Sequence, residues 1–158
     1  MPIVIDSNTF AMVFDPNNAL HSEFVAVKDW ITRGDGFLLF GGTKFMKEMG
    51  QSPSRLRVIR RLKERGEAIE IETAIVDKLE EIIIKKTRQT KCNDQHIIAL
   101  LAAARCHLLC SLDTESFPFI KEKTLYPRGM NQVRIYSSSK NKKLLKPAKK
   151  TKILNSKK

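Results

Sequence analysis

Phe37-Leu38-Leu39-Phe40 is an unbroken apolar run, with Gly34-Asp35-Gly36 before it and Gly41-Gly42 after it. A strand with one face in water alternates apolar and polar residues. A short continuous run between turn residues suits a strand buried on both faces, as in the parallel sheets of α/β proteins. The rest of the chain supports that class. Further short strands are expected at Pro2 to Ile5, Ala68 to Ile71, Leu108 to Leu112 and near Val133 to Tyr136. Between them the apolar residues recur at helical spacing: Leu20, Phe24, Val27 and Ile31; Phe45, Met46 and Met49; Leu56, Ile59 and Leu62 after Pro53; Ile75, Leu79 and Ile82; Ile97, Leu101 and Ala104. Strands alternating with amphipathic helices make an α/β domain.

The 158 residues suffice for one domain with a proper core, and 42% hydrophobic with 29% charged residues is the balance of a folded protein. The longest apolar run, Ile97 to Ala104, is far short of the roughly 18 residues needed to span a bilayer. The start of the chain lacks a basic region and its apolar run is interrupted by Asp6, so a cytoplasmic location without a membrane partner is expected. Cys92, Cys106 and Cys110 then read as reduced thiols; zinc held by Cys106, His107, Cys110 and His96 is the weaker alternative. The net charge of +12 is unevenly placed: Ser137 to Lys158 holds nine lysines and no acid, leaving +3 for the rest. A domain over 1–136 and a basic, disordered tail over 137–158 are therefore expected, the tail attracting polyanions or simply aiding solubility.

The informative polar residues are acids at element boundaries. Asp6 and Asp113 follow expected strands, Asp94 opens an expected helix, and Glu48 lies beside the apolar face of the helix after the second strand. In an open α/β sheet, ligands bind beyond the carboxyl ends of the strands, where strand order reverses. If the first and fourth strands are neighbours, these acids can meet there. Carboxylates a few ångströms apart repel, so such a cluster takes up protons or cations, and an all-oxygen set suits Mg²⁺ or Mn²⁺. The bland alternative is that Asp6, Asp94 and Asp113 are helix N-caps and Glu48 a solvated helix residue.

Ile3-Val4-Ile5-Asp6-Ser7-Asn8, Asn93-Asp94-Gln95-His96-Ile97-Ile98-Ala99-Leu100 and Ser111-Leu112-Asp113-Thr114-Glu115-Ser116-Phe117 resemble the motifs of PIN-domain proteins, best known from the VapC-type toxins of toxin–antitoxin pairs. The resemblance runs over about residues 2 to 136 in order and spacing. It implies a three-layer α/β/α fold with a central parallel sheet, and Mg²⁺- or Mn²⁺-dependent hydrolysis of RNA. By position it assigns Asp6, Glu48, Asp94 and Asp113 as the catalytic quartet, with Asp6, Asp94 and Asp113 as metal ligands. Ser7 or Asn8 stands where a polar supporting group sits, and Glu115 where many members carry a further acid. An antitoxin and a second copy of the chain are the protein partners it implies.

Arg55, Arg57, Arg60 and Arg61 put a basic side on the helix after Pro53, either an RNA contact or a solvated face. His21, His96 and His107 are scattered and read as incidental. The competing readings are an RNA-binding adaptor without catalysis, and phosphoryl transfer through an aspartyl intermediate. The latter wants a second Asp two residues after Asp6, where this chain has Asn8.

Overall fold

The computed structural model of the chain describes residues 1–148. Its centre is a five-stranded sheet in the order β3-β2-β1-β4-β5, formed by β1 (Pro2–Ile5), β2 (Phe37–Phe40), β3 (Ala68–Glu70), β4 (Leu108–Cys110) and β5 (Arg134–Tyr136). Every neighbouring pair is parallel. The β2 run is the one expected from its unbroken apolar sequence, and Leu38, Leu39 and Phe40 are all buried. Helices flank the sheet: α1 (Phe10–Phe14), α2 (His21–Thr32), α3 (Thr43–Met49), α4 (Pro53–Glu64), α5 (Thr73–Lys86), α6 (Gln95–Ala103) and the short α7 (Phe117–Ile120). This is the expected α/β architecture of a parallel sheet between helices.

Strand order fixes where a site can lie. The chain winds outward from β1 through β2 to β3, then returns to place β4 on the other side of β1, with Ile5 beside Cys110. The order therefore reverses between β1 and β4, and Asp6 follows the last residue of β1 at that point. Gly41 and Gly42 carry the chain from β2 into α3 with positive φ of 146° and 90°. A Cβ on Gly42 would stand 2.6 Å from Val76 Cγ1, so glycine lets α3 and α5 approach closely.

Three expectations change. First, α5 buries Val76 and Ile83, while Ile75 and Ile82 are 48% and 43% exposed, so its inner face lies one residue along from the expected Ile75–Leu79–Ile82 stripe. The packing of Val76 over Gly42 sets that rotation. Second, β4 stops at Cys110, two residues before the expected end, and Leu112 is 36% exposed. The Ser111 hydroxyl accepts from the Asp113 N–H at 3.1 Å, which turns the chain out of the sheet.

Third, the expected boundary after Tyr136 is not where the packed chain ends. Ser139–Leu144 forms a 3-10 helix, and Leu144 and Leu145 pack against the core. Ser139 Oγ donates to the Glu23 carboxylate at 3.1 Å, and Trp30 Nε1 donates to the Lys146 carbonyl at 2.6 Å. The two leucines and these partners hold 137–148 to α2 despite its lysines. The remainder of the expected tail, 149–158, lies outside the described residues. Among the described residues, no helix is long and apolar enough to cross a membrane.

Candidate functional site

Asp6, Asp94 and Asp113 each occupy the N-cap position of a helical segment, as the bland reading supposed. In none of the three does the side chain make the capping hydrogen bond. The carboxylates are turned to other tasks.

Asp6 is 7% exposed and its Oδ2 accepts from Ser111 Oγ at 3.2 Å. Burial raises its pKa, offset by the Ser111 hydroxyl, the Asn8 backbone N–H and the nearby His96, with the Glu48 charge adding to the rise. Asp94 is pushed up to about 7, first by burial, then by the neighbouring Asp113 carboxylate and the Asp6 charge, with the Ser116 hydroxyl acting the other way. No hydrogen bond joins Asp94 to Asp113, and Asp94 Oδ2 is buried without any partner. The acids thus form one electrostatic chain in which Glu48 acts on Asp6, and Asp6 and Asp113 act on Asp94. These acids come from four separate segments of the chain, and Asp6 follows β1 directly where the strand order reverses.

Glu48 reaches the group from the last turn of α3. Its Oε2 accepts from Ser7 Oγ at 3.4 Å and from His96 Nε2 at 3.0 Å. Its backbone carbonyl accepts from Arg55 Nη1 at 2.8 Å. His96 is 2% exposed, and burial lowers its pKa, with Glu48 opposing and Lys44 reinforcing that shift. Beside Glu48 runs a groove of about 530 Å³, lined by Lys44 and Lys47 on one side and by Asp77 and Glu80 on the other.

The remaining candidates divide. Ser7 is buried and engaged with Glu48, whereas Asn8 is exposed. Glu115 is exposed in the 3-10 turn Thr114–Ser116 and takes part in none of these contacts. Of the four arginines, Arg55 is half-buried against Glu48, while Arg57, Arg60 and Arg61 are exposed on α4. Cys106 and Cys110 are fully buried, and burial pushes the Cys106 thiol up to about 11 and the Cys110 thiol higher still. They are core residues, inert as thiols.

His96, weighed only as a zinc ligand or an incidental histidine, and Ser111, given no role, both touch the acids. His96 had a signal in the sequence: it opens the apolar run from Ile97 to Ala104, and a polar side chain at the head of a buried helix needs a partner. Ser111, two residues before Asp113, had none in isolation.

Carboxylate oxygen is the donor type that hard divalent cations take. Asp94 Oδ2 is buried without a hydrogen-bond partner among the described residues, and the Asp113 and Asp6 carboxylates raise its proton affinity. The donors are carboxylate oxygens, as Mg²⁺ and Mn²⁺ prefer, and the His96 nitrogen nearest them is occupied by Glu48. Among the described residues, however, no three His, Cys, Asp or Glu side chains are placed together so as to hold a metal ion. Compared with family models, curated proteins and solved structures, the chain matches none.

Proposed function

We propose that this protein is a Mg²⁺- or Mn²⁺-dependent endoribonuclease of PIN-domain type, hydrolysing RNA phosphodiester bonds in the cytoplasm. The observation that carries the proposal is the half-buried Asp94, whose Oδ2 is buried without a partner among the described residues and whose proton affinity is raised by Asp113 and Asp6, near the point where strand order reverses. Burying an acid next to two like charges is costly, and a cation is what makes such a group useful. Asp6, Asp94 and Asp113 would hold the ion. Once bound, it would neutralise the phosphodiester and lower the pKa of an attacking water. Glu48, fixed beside Asp6, would orient that water. Lys44 and Lys47, on the groove next to Glu48, would take the phosphates of the adjoining nucleotides. The net charge of +12 favours an RNA partner in general, and the exposed Arg57, Arg60 and Arg61 extend the same attraction along α4. A toxin role, restrained by an antitoxin protein or expressed as a homodimer, follows from the resemblance alone.

The test is cleavage of single-stranded and hairpin RNA with Mn²⁺, Mg²⁺ or EDTA. Wild-type protein should cleave only with a divalent ion, and Asp6→Asn and Asp94→Asn should each lose at least a hundredfold. RNA binding without cleavage under every metal condition would favour the non-catalytic adaptor instead.

A further inference from the structure

Glu48 sits in the last turn of the seven-residue helix α3, on a long side chain. A free Glu side chain loses rotamer freedom when it is fixed in one place, so an acid of this kind needs something to hold it. We propose that His96 is the positioning residue that holds Glu48 toward the cation site of Asp6, Asp94 and Asp113. This inference rests on the metal-site reading above.

The geometry is specific. His96 Nε2 faces Glu48 Oε2 at 3.0 Å, and Glu48 Oε1 accepts no hydrogen bond among the described residues. Because Nε2 faces a carboxylate, it carries the hydrogen. Nδ1 is buried without a partner among the described residues, so the contact with Glu48 is the one polar anchor of the ring there. The backbone sets the placement: Ile97 and Ile98 N–H both donate to the Asp94 carbonyl, so the first turn of α6 carries Asp94 and His96 as one unit. That turn supplies one acid directly and holds the acid of α3 through the ring. Polar partners behind metal ligands are typically worth 10- to 100-fold in metal affinity.

The test is calorimetric titration of the full chain with MnCl₂ in wild type, His96→Gln, His96→Asn and Asp94→Asn. Gln places an amide N–H near the position of Nε2, whereas Asn is a methylene too short to reach Glu48; both put a polar amide in the same buried place. His96→Gln should bind Mn²⁺ within about threefold of wild type, and His96→Asn 10- to 100-fold more weakly. Equal affinities for the Gln and Asn variants would overturn the positioning role while leaving the metal site intact. Undiminished binding by Asp94→Asn, or none by wild type, would instead overturn the metal-site reading and this inference with it.

Discussion

Asp94→Asn should make the metal-free protein more stable at pH 8 while abolishing the proposed metal binding. The folded carboxyl is raised from 3.8 to about 7, so the folded state holds this proton more tightly than the unfolded chain does. The stabilising contribution is complete below about pH 4 and is lost as pH rises through 7. At 1.36 kcal/mol per unit, the shift corresponds to at most about 4 kcal/mol. Asp94 is only partly buried, and screening by solvent brings the figure to about 2 kcal/mol. Asn keeps the size, carries no charge, and can donate to Asp113 instead of repelling it. Urea denaturation in EDTA at pH 5 and pH 8 reads this directly. Wild type should lose about 1 kcal/mol between the two values, Asp94→Asn should lose much less, and at pH 8 the variant should melt several degrees higher. If Asp94→Asn is less stable than wild type at pH 8, or if its pH slope is unchanged, the acid is not under the electrostatic load described here.

Gly42→Ala should destabilise the fold by about 2–3 kcal/mol in urea denaturation, because it combines a positive φ with a Cβ 2.6 Å from Val76 Cγ1; a neutral effect would mean that α5 can retreat freely. Truncation after Tyr136 should cost about 2 kcal/mol or more, since it strips Leu144, Leu145 and the partners of Trp30 and Glu23 from the domain. Truncation after Ala148 should leave stability and cleavage intact and make RNA affinity fall less steeply with salt, through the loss of five lysines. An unchanged salt slope would show that those lysines do not meet RNA.

The sheet was legible because continuous apolar runs between turn residues have few other uses: Phe37–Phe40 is β2 end for end. The face of α5 was not. Its apolar residues at 75, 76, 79, 82, 83 and 84 describe two overlapping stripes, and only the close approach at Gly42 selects Val76 and Ile83. The lysines of 140–146 masked Leu144 and Leu145, and composition averaged over the segment hid two residues that dock it. The acids could be named individually but not paired. That Asp94 meets Asp6 and Asp113 depends on β4 lying beside β1, and that Glu48 is tied to His96 depends on where α3 and α6 pack. The turn at Ser111 was invisible for the same reason: its hydroxyl matters because it lies between Asp6 and the Asp113 N–H.

Anomalous diffraction at the manganese edge, from crystals grown with MnCl₂, puts the central claim to its most direct trial. The account predicts a peak in contact with the carboxylates of Asp6, Asp94 and Asp113, absent from Asp94→Asn crystals grown in the same way. Manganese bound elsewhere on the molecule, with these three side chains left as they are, would contradict it.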